Sequence, residues 1–278
     1  MTESDLTKIA FVGDYLPRKC GIATFTHDLR GAVARASSAQ CVVVPVDDIA
    51  GGYDYSSEVS FQISEENLDA YRRAADYLNF SNVDVISLQH EFGIFGGLGG
   101  SHILAFLRDI RIPVVTTLHT VLSKPDATQR RVMEQLTELS TRLVVMTQRS
   151  RETLCQTYAV PESKVDLIAH GIPDAPYADP SLLKEQFGVE GKQVALTFGL
   201  LSPNKGIEYV LKAIPNIIRE FPDFVYLVLG ATHPSLVRSE GERYRISLER
   251  MAKELGITKN VSFYNRFVEL EELTQFIG

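Results

Sequence analysis

Short β-rich runs alternate with helical patterns along the whole chain of 278 residues, and this alternation most narrows the folds open to it. Strands separated by helices pair in parallel, and the crossover helices cover both faces of the sheet. Strands are expected at KIAFVGDY (8–15), CVVVPV (41–46), VSFQI (59–63), VDVISLQHE (83–91), PVVTTLHT (113–120), RLVVMTQ (142–148) and KVDLIAHG (164–171), with helices filling most gaps.

The stretch 172–191, IPDAPYADPSLLKEQFGVEG, holds three prolines and two glycines, and beyond it the alternation restarts with QVALTFGLL at 193–201. That pattern predicts a first domain over 1–175, a linker over 176–191 and a second domain over 192–278. The second domain reads as a helix at KGIEYVLKAIPNIIREF, a strand at 224–231, a charged helix near 240–255 and a strand at 261–267. Another helix is expected from near Glu269, and the sequence stops in its first turns at EELTQFIG. Three strands make a thin α/β domain with a marginal core, so the expectation is a truncated chain or one completed by another. Neither half contains a solenoid repeat or a low-complexity segment, but each opens with a strand, a glycine-containing loop and a helix.

Composition removes several classes of function. With 45% hydrophobic and 23% charged residues the chain is expected to fold, and its net charge of −7 argues against a broad grip on nucleic acid or anionic lipid. Any phosphate partner should then be small. The amino terminus MTESDLTK is polar and acidic, unlike a secretory signal, and no run approaches the ~18 apolar residues of a membrane span; peripheral membrane contact stays open. Cys20, Cys41 and Cys155 are odd in number and widely spaced, which supports neither a disulfide framework nor a CxxC metal site and fits a reducing cytoplasm.

Open α/β sheets bind ligands beyond the carboxyl ends of their strands, so candidate chemistry is sought in the loops that follow them. In DYLPRKCGIATFTHDL (14–29), Pro17 and Gly21 break the strand before a helix, leaving backbone N–H groups for an anion or forming an ordinary turn. SLQHEFGIFGGLGGSHIL (87–104) packs five glycines into Gly93–Gly100, which suggests a flexible lid or a close backbone approach to ligand. His90 and Glu91 open an HExxH pattern that fails at Ile94, so zinc is discounted and His90 is kept as a cleft candidate, and the GxGxxG spacing fails at His102. His119 ends the strand in VVTTLHTVLSKP, as a packed histidine or a site residue; His170 and Gly171 in AHGIPD are further candidates.

TFGLLSPNKGIEYVLKAI (197–214) places Lys205 and Gly206 where a helix starts. A cation there opposes the positive helix end unless an anion joins it; otherwise Lys205 is a solvated lysine at a turn. The order Lys then Gly is not a Walker loop.

Together these residues resemble the retaining, family 4 type glycosyltransferases of GT-B fold, over nearly the whole chain. The resemblance implies an α/β architecture of two Rossmann-like parallel-sheet domains facing a cleft, the second incomplete here. It implies a nucleotide-sugar donor bound mainly by the second domain and an acceptor, not identified by the sequence, bound mainly by the first. Carried over by position, Gly21 matches the glycine loop near the donor phosphates, His119 a histidine near the transferred sugar, and Lys205 the lysine on the pyrophosphate. Gly230 in LGATHP matches the glycine that ends the next strand, and Asn265, Arg266 and Phe267 fall where the base usually lies. Leu200 stands where a partner arginine is common, with Arg18 or Lys19 as substitutes, and the family's E-x7-E signature is matched in spacing only by Glu58 and Glu66, in the wrong domain. No DxD occurs, which agrees with a site needing neither metal nor cofactor. The alternatives are a non-catalytic binding module derived from such an enzyme and, without support from GxGxxG, a dinucleotide-dependent oxidoreductase.

Overall fold

The computed structural model of the protein describes residues 6–172 and 179–277, and the chain divides into two compact units, Met1–Gly171 and Ile172–Gly278. The expected boundary between residues 175 and 176, with Pro173 and Pro176, lies outside the described residues.

The first unit is built on a seven-stranded sheet, β1 (Lys8–Gly13), β2 (Gln40–Asp47), β3 (Ile63–Ser64), β4 (Val85–His90), β5 (Val114–Leu118), β6 (Arg142–Val145) and β7 (Val165–Leu167). The strands lie in the order β3-β2-β1-β4-β5-β6-β7 and pair in parallel throughout. Five helices connect them: α1 (Gly21–Ala36), α2 (Leu68–Asn79), α3 (Ile103–Asp109), α4 (Ala127–Leu139) and α5 (Gln148–Tyr158). Period-two alternation sends Ile9, Phe11, Cys41 and Val43 to one face, against Leu29 and Val33 of α1. Ala10, Val12, Val42, Val44, Ile86 and Leu88 go to the other, against Tyr71, Leu78, Phe106 and Met133 of the remaining helices. Both faces being covered is why β1 and β2 read as nearly unbroken apolar runs. Leu88 and Phe106 are fully buried, and truncating either to alanine would cost about 2–5 kcal/mol.

The run VSFQI is only partly a strand. It touches β2 at an isolated bridge, Val59 to Val43, and again where Ile63 pairs with Val46, four steps on one side against three on the other. The extra residue forces a bulge, and Phe61 leaves the ladder to stack on Tyr77, with ring centroids 5.2 Å apart.

The second unit carries β8 (Gln193–Phe198), β9 (Phe224–Leu229) and β10 (Val261–Tyr264), parallel and ordered β10-β9-β8. The segment expected as a linker includes α6 (Pro180–Gln186), started by Asp179 accepting from the Ser181 N–H at 2.9 Å with proline in the first turn. Phe187 after it stacks on Phe276 of α10 (Leu270–Ile277) at 4.0 Å, beside Val189, Val225 and Leu227. The opposite sheet face is covered by α7 (Ile207–Glu220) and α9 (Arg243–Glu254) through Leu211, Ile214, Leu248 and Ala252. The charged helix expected near 240–255 is two helices, α8 (Pro234–Glu240) and α9, parted at Gly241, whose φ is +63°.

Candidate functional site

In the first unit the chain leaves β1 for β2 on one side, and β4 returns to β1 on the other, so the sheet order reverses between β1 and β4. Ligand crevices form outside the carboxyl ends at such a point.

Alternation along β4 decides which side chains serve that end. His90 continues the Ile86, Leu88 face into the core, fully buried between Phe92 and Phe95 at centroid distances of 5.1 and 5.8 Å. Neither ring nitrogen has a hydrogen-bond partner, and burial, helped by nearby His119, pushes its pKa down to about 3. The expectation that His90 lines a cleft is therefore corrected to a neutral core histidine. Gln89, one residue earlier, faces the other way, as does His119 just after β5. Gln89 is fully buried; its Oε1 lies 3.1 Å from His119 Nε2 and its Nε2 donates to Ser87 Oγ at 3.1 Å. Gly13 admits it: a Cβ at Gly13 would stand 2.9 Å from the Gln89 Cβ.

His119 is half-buried, edge-on to Phe25 of α1 at 4.7 Å, and Phe25 also meets the exposed His170 ring at 5.2 Å. Burial and, secondarily, His170 bring the His119 pKa down to about 4, so the ring is neutral near pH 7. His170 Nδ1 donates to the Gly171 carbonyl, 2.6 Å away, and Gly171 is exposed. Gly21 begins α1, exposed, with nothing within 4 Å of where a Cβ would stand. No acidic residue occupies the first turn of α1; the Cys20 side chain lies against the Ile22 and Ala23 amides, and the Thr24 amide donates to the Cys20 carbonyl at 3.1 Å.

Arg18 does not share that space. Its guanidinium is largely buried, 2.8 Å from Asp14, 3.7 Å from Asp48 and 3.8 Å from Glu65, and also donates to the Val46 carbonyl. Burial raises the Asp14 pKa to about 7 against the pull of Arg18. The arginine expected as a substitute phosphate clamp is thus enclosed by carboxylates, while Lys19 is exposed. The glycine-rich loop is also tied down rather than open. Gly96 donates to the Tyr71 hydroxyl at 3.1 Å and a Cβ on it would overlap the Glu65 carbonyl at 2.0 Å. Gly97, Gly99 and Gly100 take positive φ as the loop folds on itself, and only Gly93 has open space around it.

In the second unit the strand ends press together. Gly199 (φ +107°) donates to Leu229 O at 3.0 Å, and Gly230 (φ +148°) donates to Tyr264 O at 2.9 Å. Lys205 ends a 3-10 turn, Pro203–Lys205, and folds back so that Nζ lies 3.3 Å from where a Gly199 Cβ would be. It is exposed and makes no ion pair among the described residues. Gly206, left-handed at φ 64°, turns the chain into α7, which no side chain caps. Arg266 forms a fork with both Glu272 carboxylate oxygens, and Asn265 and Phe267 are exposed beside it. A separate cleft of about 560 Å³ opens at the amino ends of β1 and β2, beside Lys8, Gln40 and Arg30. Among the described residues no three His, Cys, Asp or Glu side chains are grouped to hold a metal, and no helix is long and apolar enough to cross a membrane.

Residues 21–175, more than half of the chain, match the family model described as Glycosyltransferase Family 4. The chain belongs to that family. Its remaining part, residues 181–276, matches the model for Glycosyl transferases group 1, and together they displace the oxidoreductase alternative. A relative, the D-inositol 3-phosphate glycosyltransferase of Segniliparus rotundus, is 28% identical over 167 residues, which are 55% of this chain and 36% of the relative. The GDP-mannose-dependent alpha-(1-6)-phosphatidylinositol monomannoside mannosyltransferase of Mycolicibacterium smegmatis is 30% identical over 91 residues, 33% of this chain and 21% of that one. These matches thus span about a third or less of the curated relatives' lengths. Among solved structures, Anabaena HepE in complex with UDP superposes with a TM-score of 0.70 at 16% identity, covering 96% of this chain and 71% of its own. That likeness shows the GT-B type of fold.

Proposed function

We propose that this family 4 chain takes part in the retaining transfer of a sugar from a nucleotide-sugar donor to an acceptor hydroxyl. The observation that carries the reading is Lys205, an exposed ammonium without an ion-pair partner among the described residues, held over Gly199 at the carboxyl end of β8 and beside the uncapped start of α7. A leaving diphosphate gains negative charge as the glycosidic bond breaks. Lys205 and the first α7 amides, those of Ile207 and Glu208, are the groups that would meet that charge, in place of a metal. One such charge-assisted contact is worth about 1.5–3 kcal/mol.

In the first unit taken by itself, His119, as a neutral ring, would orient sugar hydroxyls rather than deliver a proton. Neighbouring structures carry UDP and UDP-glucose, and one relative's name specifies GDP-mannose, so uridine and guanosine diphosphate sugars are the first donors to examine.

The test is to titrate the full chain with UDP-glucose and GDP-mannose by calorimetry, then follow donor consumption and the anomeric configuration of the transferred sugar by NMR. Binding with turnover and a retained anomer is expected. Binding without donor hydrolysis or transfer would leave a non-catalytic donor-binding module, and no binding of either donor would overturn the phosphate assignment.

A further inference from the structure

We propose that Gln89 is a positioning residue whose buried side-chain carbonyl fixes His119 in its Nε2–H tautomer, leaving Nδ1 as the ring's hydrogen-bond acceptor. The functional consequence rests on reading His119 as a site residue; the tautomer assignment does not.

Three observations converge. Gln89 is fully buried on a sheet face that carries Ile9, Phe11, Val43 and Val85, as well as Ser87 and Thr117, the cross-strand neighbour of Gln89. A primary amide there is costly unless both ends are bonded, and methionine would fill similar volume without that cost. Both ends are bonded: Nε2 donates to Ser87 Oγ at 3.1 Å and Oε1 stands 3.1 Å from His119 Nε2. With its amide nitrogen committed to Ser87, Gln89 offers His119 only an acceptor, which requires a proton on Nε2. Finally, β1 ends in Gly13, where a Cβ would come within 2.9 Å of the Gln89 Cβ and 3.2 Å of its carbonyl oxygen, so the neighbouring strand leaves room for this side chain. Phe25 braces the imidazole from α1, edge-on at 4.7 Å. The ring is thereby held by one hydrogen bond and one aromatic contact, with a single lone pair free to accept from a hydroxyl.

The experiment is long-range ¹H–¹⁵N correlation NMR of the imidazoles in the full ¹⁵N-labelled chain, with His119 assigned by the signal lost in His119→Gln. The wild type should show the Nε2–H pattern. Gln89→Met, checked for native circular dichroism, should lose that bias. Gln89→Glu should keep the tautomer and move the His119 titration upward from about 4, because a carboxylate favours the imidazolium that burial and, secondarily, His170 disfavour. If the donors are turned over, Gln89→Met should lower kcat roughly tenfold to hundredfold with donor KM little changed, as a small misorientation does. An Nδ1–H pattern in the wild type, or an unchanged tautomer and titration in Gln89→Met, overturns the proposal. Absence of turnover would count against the functional reading while the NMR result still decides the role of Gln89.

Discussion

Replacing Gly230 with alanine should destabilise the second unit by about 3 kcal/mol, for reasons that can be worked atom by atom. A Cβ at Gly230 would stand 1.9 Å from the Gly199 carbonyl oxygen and 2.8 Å from its carbonyl carbon. Carbon and oxygen normally approach no closer than about 3.3 Å, so the strand ends would have to part by more than ~1 Å. Both colliding atoms are backbone, pinned by the Gly199 bond to Leu229 and the Gly230 bond to Tyr264, so no rotamer change relieves the overlap. Overpacking of this kind costs about 1–3 kcal/mol and an unfavourable φ of +148° adds a comparable amount. In a unit of this size, 3 kcal/mol corresponds to a fall in midpoint on the order of 15 °C. Differential scanning calorimetry of the full chain would read it on the transition of the second unit. The control is Gly21→Ala, where nothing lies within 4 Å of the new Cβ and stability should hold. A Gly230→Ala chain within about 0.5 kcal/mol of wild type, the ordinary range for a surface substitution, would refute the claim that these strand ends are pressed together.

Other outcomes follow from single side chains. Lys205→Ala should weaken nucleotide-sugar affinity by roughly tenfold to a hundredfold in calorimetry while leaving the melting temperature unchanged, since Lys205 is exposed and makes no ion pair among the described residues. His119→Ala should reduce turnover more than donor affinity, as a residue that orients the sugar would. His90 and His119 are held well below the usual histidine value of 6.5, so the unfolded chain takes up protons that the native one refuses as the pH falls. Their contribution is fully present above about pH 6.5 and is lost on acidification toward pH 4, at up to about 1.4 kcal/mol per pH unit per histidine. His90→Leu should flatten that acid loss in chemical denaturation series from pH 7 to 4, and an unchanged slope would contradict the burial of a neutral ring.

The element order and parallel pairing were legible because apolar runs and punctuating glycines and prolines are local signals. Of the candidate residues, Gly21, His119 and Lys205 were legible as residues that follow strands, and the structure keeps them in the segments after β1, β5 and β8. His90 was misread for want of counting: on a strand, one residue of offset puts a side chain on the opposite face, and the side chain that reaches His119 is Gln89. A glutamine interrupting an apolar strand just before its end is the signal that would have found it. Arg18 was legible as a cation near Gly21 but not as a captive one, because Asp48 and Glu65 are brought to it only by the pairing of β2 and β3 beside β1. The glycines from 93 to 100 suggest a flexible lid or a close approach to ligand, whereas tight contact within the protein explains Gly96, Gly97, Gly99 and Gly100, and composition cannot separate those demands.

That loop also bears on how the first unit exchanges hydrogen with solvent. The Gly96 amide is bonded to the Tyr71 hydroxyl, which in turn donates to the Glu65 carbonyl at the approach to α2. Such an amide is released only when the loop and the start of α2 part together, so its exchange clock is set by that joint opening and not by local fraying. A segment with the composition of a hinge thereby becomes a latch, and deuterium uptake there times the loosening of α2 from its neighbours.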